Sequence, residues 1–205
     1  MGRISKRCPQ CTCEYGIITD IINHRNMIKE RKERKRDETM FDMFFPDRYV
    51  TSTYVIDFEK LYEKGYRGLI FDIDNTLVPH GAPADERAIA LFERLKKIGF
   101  KCCLISNNQE PRVKMFNESI QVDYVYDAHK PSRKNYIKAM EIMGTTRKNS
   151  VFIGDQLFTD VWGAKRTGIH NILVKPIHPK EEIQIVIKRR LERIVLYFYK
   201  RSLKR

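Results

Sequence analysis

No apolar run in this 205-residue chain comes near the ~18 residues that a membrane-crossing helix needs, and the longest, 194–199, has six. The opening MGRISKRCPQ lacks the apolar stretch of a secretory signal. Cysteine is scarce too: five residues, three of them bunched at Cys8, Cys11 and Cys13, do not make the framework of a small secreted disulfide protein. Together these absences exclude an integral membrane protein and predict a cytoplasmic location, with peripheral attachment to the inner face of a membrane left open. Acidic residues are the minority, 26 against 39 lysines and arginines, for a formal charge of +13. Tryptophan occurs once, at Trp162, within a stretch that reads as helix packing.

What the chain does have is a globular composition, 42% hydrophobic, enough to bury a core. The positive charge is concentrated at the ends. Residues 1–39 carry 10 basic and 6 acidic side chains, 40–179 carry 20 and 17, and 180–205 carry 9 and 3. Partners with anionic surfaces follow from that, either nucleic acid or phospholipid headgroups. Three segments result. Residues 1–39, with the polar run RNMIKERKERKRDE, are expected to be a disordered or non-native extension. Residues 40–179 form the core domain, and 180–205 a basic amphipathic helix. Cys8, Cys11 and Cys13 with His24 could be imagined as zinc ligands, but no second pair follows at the spacing that zinc ribbons use.

From residue 40 onward short apolar runs alternate with helical spacing. Gly68-Leu-Ile-Phe-Asp72 reads as a buried strand, and Ala84 to Ile98 as a helix ended by Gly99. Strands are predicted over 101–106, 123–126, 150–153 and 171–174. Helices are predicted over 110–119, 132–143 and 159–167, with a long one from Glu181 onward. This alternation predicts an α/β fold, a central parallel sheet with helices on both faces. Cys102 and Cys103, inside a strand, are expected to be inert.

The chemistry gathers where the predicted strands end, the edge at which open α/β sheets bind ligands. The first strand runs into Asp72-Ile-Asp74-Asn-Thr76. Two carboxylates one residue apart can divide the work, one attacking and the other handling the leaving group's proton. The second ends in Ser106-Asn107-Asn108, a hydroxyl and backbone N–H groups suited to phosphate oxygens. The third is followed by His129-Lys130-Pro131, which supplies a cation, and the fourth by Gly154-Asp155, with Asp160 five positions on. D-x-D-x-T alone arises by chance in roughly one chain in forty of this length. Asp155 and Asp160 could separately be helix caps, and Lys130 a solvated lysine. Four such groups in order, each at a strand end, are not an accident.

These residues resemble the four motifs of the haloacid dehalogenase (HAD) phosphatases, in order and spacing. The segments FFPDRYV, DIDNTLV, SNN, KP and IGDQLFTDVWGAKRTG are closer still to the YqeG-type branch of subclass IIIA, over about residues 41–200. The resemblance implies a Rossmann-like HAD fold and a Mg2+-dependent phosphomonoesterase. Asp72 would be the nucleophile and Asp74 the acid and base. Ser106, Asn107 and Lys130 would meet the phosphate. Asp72, Asp155 and the Asp74 main-chain carbonyl would hold the metal, with Thr76 and Asp160 in support. It further implies a lipid substrate, because members of that branch are associated with dephosphorylating phosphatidylglycerophosphate. Only 33 residues separate Asp72 from Ser106 and 23 separate Ser106 from Lys130, too few for the cap domain that small-metabolite HAD enzymes insert. An open site suits a bulky ester.

The C-terminal helix carries Ile183, Val186, Ile187, Leu191, Ile194, Val195 and Phe198 on one broad face, and basic residues elsewhere. It can pack on the sheet, rest on an anionic membrane, or do both. The rivals are a phosphatase of a nucleic-acid end or soluble ester, and a non-catalytic RNA- or ribosome-binding scaffold. Against the last stand the full acidic set and the want of an aromatic-and-basic cluster for stacking bases.

Overall fold

The computed structural model describes residues 42–178 and 183–203; the segment 1–39 and its cysteine cluster lie outside them. Six strands form one sheet: β1 (Arg48–Val50), β2 (Gly68–Phe71), β3 (Lys101–Ile105), β4 (Asp123–Val125), β5 (Ser150–Gly154) and β6 (His170–Val174). Their spatial order is β1-β6-β5-β2-β3-β4, and every pairing is parallel. The helices are α1 (Phe58–Glu63), α2 (Glu86–Ile98), α3 (Glu110–Asn117), α4 (Arg133–Met143), α5 (Trp162–Thr167) and α6 (Ile183–Ser202).

The central strands β2 and β5 are buried along their whole length, because helices cover both faces. Strand geometry sends alternate side chains to opposite faces. Leu69 and Phe71 join Val151 and Ile153 in a cluster with Phe58, Leu91, Phe92, Leu95 and Phe116. Ile70 and Phe152 point the other way, into a cluster with Tyr136, Ala139, Met140, Met143 and Ala164. Local signals set the helix ends. Asp85 caps α2 by accepting from Ala88 N–H at 2.8 Å, and Gly99 closes it at φ +103°, where a side chain would be strained.

Three elements depart from the sequence expectation. β1 is an edge strand paired to β6 through Arg48↔Ile172 and Val50↔Val174, and α1 precedes β2. The helix predicted over 159–167 begins instead as a π-turn, Leu157–Val161, before α5. One helix and one strand fill each gap between the motifs, so no cap domain interrupts the core. No described helix is long and apolar enough to cross a membrane.

Candidate active site

From β2 the chain builds outward to β3 and β4, then returns to the other side of β2 to build β5 and β6. The sheet's order therefore switches between β2 and β5, opening a crevice beyond their carboxyl ends. Asp72 and Asp155 stand on its two sides. Asp72 N–H donates to Ile153 C=O at 2.9 Å, so the ladder itself fixes the first carboxylate beside the second strand.

Lys130 reaches across from the loop after β4. Its Nζ lies 2.6 Å from Asp72 Oδ1 and 2.7 Å from Asp160 Oδ1, and all three side chains are buried. Asp160 has its other oxygen, Oδ2, occupied by the N–H groups of Asp155 and Gln156 at 3.1 and 3.0 Å. Both its oxygens are thus committed, to Lys130 and to the turn that carries Asp155. Gly154 makes room for this: a Cβ there would stand 2.5 Å from Asp160 Oδ2. The Thr76 hydroxyl lies 3.4 Å from Asp72 Oδ2 and 3.3 Å from Asp155 Oδ1, a long three-centre contact that marks where those two oxygens converge. The loop holding Thr76 is braced from below. Thr53 Oγ1 donates to Thr76 C=O at 2.7 Å, and the Tyr54 hydroxyl to Leu77 C=O at 2.6 Å.

The carboxylates of Asp72, Asp155 and Asp160 offer oxygens within 4.8 Å of one another. Three buried carboxyl groups face one ammonium. Burial pushes Asp72 up to about 6, with Asp160 and Asp74 adding to the rise and Lys130 opposing it. For Lys130, burial favours the neutral amine, but Asp160 and Asp72 outweigh it and hold the ammonium above its ordinary value. An all-oxygen site short of positive charge suits a hard divalent cation. Asp72 and Asp155 are its better-placed side chains, because Asp160 is already spent on Lys130 and two N–H groups.

Asp74 sits on the opposite lip. Its Oδ1 accepts from Gly81 N–H and from Arg112 Nη2, both at 2.8 Å, and its Oδ2 from Asn108 Nδ2 at 2.6 Å. Ser106 is buried at the end of β3, its Oγ accepting from Asn108 N–H at 3.1 Å, which leaves the hydroxyl proton to donate. The Asn107 amide spans the main chain of Lys130, accepting from its N–H at 2.7 Å and donating to its C=O at 3.5 Å. In this arrangement Asn107 positions Lys130. His129 is exposed, 3.5 Å from Asp127. Cys102, half-buried, and Cys103, buried, lie on β3 away from the site; burial pushes both thiols up to about 12, and they are not ionised.

Sequence reasoning passed over Arg112 and Glu192. Arg112 lies in the first turn of α3, where the helix dipole disfavours a cation, and that misplacement was a usable signal. Glu192, on α6, is buried and accepts from Leu157 N–H at 2.7 Å, tying the C-terminal helix to the turn bearing Asp160.

A protein of Bacillus subtilis (strain 168) named "Probable phosphatase YqeG" is 41% identical over 160 residues, covering 78% of this chain and 93% of that protein. The chain belongs to the HAD-like hydrolases of the YqeG type. It is a HAD-type phosphatase. The HAD-hydrolase-like family model matches residues 127–183, from the Lys130 loop past β6. The chloroplastic/mitochondrial phosphatidylglycerophosphate phosphatase 1 of Arabidopsis thaliana is 28% identical over 166 residues, 73% of this chain but only 45% of that protein. A solved structure from Listeria monocytogenes serotype 4b is 17% identical with a TM-score of 0.47, covering 57% of this chain and 84% of that one. It adds nothing to the family assignment.

Proposed function

We propose that the chain is a Mg2+-dependent phosphomonoester hydrolase working through an aspartyl-phosphate, with phosphatidylglycerophosphate as its substrate. The observation that carries the chemistry is the Asp72 carboxylate, buried at the sheet's switch point between Lys130 and the oxygen of Asp155 that shares the Thr76 hydroxyl. Asp72 attacks phosphorus in line, the ester P–O bond breaks, and the leaving oxygen takes a proton from Asp74. Asp74 then takes a proton from the water that hydrolyses the aspartyl-phosphate, returning Asp72. Ser106 and Lys130 hold the transferring oxygens, and Asp160 keeps Lys130 aimed. The carboxylates of Asp72 and Asp155 and the Asp74 main-chain carbonyl would hold Mg2+, which supplies neutralisation of the charge on the phosphoryl oxygens.

Three observations support a lipid headgroup. Among the described residues nothing caps the site, so a substrate anchored in a membrane can reach it. The C-terminal helix buries Glu192, Val195 and Tyr199 but exposes Leu191, Ile194 and Tyr197 alongside Arg190, Arg193 and Arg201. An apolar strip edged by basic residues is the composition that rests on an anionic membrane. The Arabidopsis relative, finally, bears that activity in its name. The test is a panel of phosphatidylglycerophosphate in mixed micelles against soluble phosphate esters and a 5′-phosphorylated oligonucleotide, with Mg2+ and with chelator. Highest kcat/KM on the lipid, lost with chelator, is expected. Faster turnover of a soluble ester or of the oligonucleotide would replace the lipid with that substrate.

A further inference from the structure

Asp74 and Arg112 are unequally served by their contact. Asp74 is amply bonded without the arginine, through Gly81 N–H and Asn108 Nδ2. Arg112 is not. Its Nη2 meets Asp74, while Nε and Nη1 are buried with no hydrogen-bond partner. A guanidinium carries five N–H donors in a planar fork that matches two oxygens of one phosphate, and here it meets a single carboxylate oxygen. Buried N–H groups left unmet are costly, so this pose is a resting place that a better acceptor can displace.

The position says which acceptor. Arg112 follows directly on the Ser106-Asn107-Asn108 loop and touches the residue that protonates the leaving oxygen. Whatever departs with that oxygen passes this lip. His80, half exposed and 3.7 Å from Asp74 Oδ1, stands at the same mouth. The lip therefore presents donors to the leaving-group side of the scissile phosphate, separately from Lys130 and Ser106.

We propose that Arg112 determines specificity by binding a second anionic group, a phosphodiester or phosphate, on the leaving-group side of the substrate. The inference rests on the assignment of Asp74 as the acid. In the free enzyme Arg112 is parked on Asp74, and the second anion draws it off, satisfying the fork and leaving Asp74 Oδ1 with Gly81 N–H alone.

The test uses three soluble monoesters: propyl phosphate with one anionic group, propane-1,3-diol bisphosphate, and glycerophosphoryl-glycerol phosphate, the deacylated lipid headgroup. The readout is the ratio of kcat/KM on each two-anion ester to that on propyl phosphate, taken within each variant. Wild type should favour at least one two-anion ester. Arg112→Gln should lower that ratio by about 10- to 100-fold, the range for a lost charged hydrogen bond, and chiefly through KM. Arg112→Lys, which keeps the charge but not the fork, should recover part of it and guards against a folding defect in the glutamine variant. A ratio unmoved in both variants, equal losses on all three esters, or no preference in wild type would overturn the proposal. Preference for the bisphosphate over the headgroup, lost in Arg112→Gln, would uphold it and rule out phosphatidylglycerophosphate.

Discussion

Asp72 illustrates what a single residue's surroundings impose. Asp72→Asn should abolish turnover, because an amide cannot form the aspartyl-phosphate. Asp74→Asn should slow it by ~10²–10⁴, the usual worth of general acid–base catalysis. Stability should respond differently from activity. Asp72 titrates near 6 in the folded protein against an ordinary 3.8, so between those values the folded state keeps a proton that the unfolded chain has lost. Stability then falls as pH rises through that window and stays lower above it. In chelator, Asp72→Asn should therefore melt higher than wild type at about pH 7.5, with the gap shrinking toward about pH 4.5. Thermal melts of both proteins across that range check it, and a gap that does not shrink contradicts it. Asp72, Lys130 and Asp155 were legible in the sequence because they follow predicted strand ends, and Asp160 through its spacing from Asp155. Arg112 left only one trace there, a cation in a helix's first turn, and its buried, unmet nitrogens emerge only from the structure. Asn107 was read as a phosphate ligand through the main-chain N–H groups of its loop; the structure adds a second task, since its side-chain amide spans the Lys130 main chain.

At the scale of elements, the central β2 and β5 were readable from short, fully apolar runs. β1 was hidden for physical reasons. It has three residues, one of them exposed, and its pairing with β6 lies more than 120 residues away. No local pattern encodes that register. Nor did spacing reveal the π-turn at 157–161, which wraps the chain so that Asp160 faces Lys130. That turn leans on α6, through the bond from Leu157 N–H to Glu192. Glu192→Ala leaves a buried N–H without its acceptor and should cost about 1–3 kcal/mol, whereas Glu192→Gln keeps an acceptor oxygen and should cost less. Urea unfolding of the three proteins measures this. If the turn's alignment depends on the bond, apparent Mg2+ affinity should weaken in the same order; equal stabilities would show that α6 does not hold the turn.

For the whole molecule, the question is how a chain of net charge +13 meets its substrate. Residues 40–179 account for little of that charge, while 180–205 carry nine basic and three acidic residues. α6 is anchored on one side: Val195 and Tyr199 are buried, Tyr199 meets Phe45 edge-on at 5.6 Å, and Lys200 lies over the Tyr49 ring at 5.7 Å. The broad apolar face expected from the sequence is thereby split, with Val195 packed and Leu191 and Ile194 left outside. Each basic residue close to an anionic bilayer contributes about 1 kcal/mol. Arg190, Arg193 and Arg201 together would give binding that is useful and sensitive to salt, because screening shortens the reach of those charges. Changing the three to Gln should sharply reduce co-sedimentation with phosphatidylglycerol vesicles. Leu191→Ser with Ile194→Ser should do so even at high salt, where the apolar contribution dominates. Turnover of a soluble ester should stay near wild type in both variants, since these residues lie on the exposed side of the helix, away from the buried Glu192 that bonds the turn bearing Asp160. Vesicle binding indifferent to all five substitutions and to salt would mean that α6 serves packing alone.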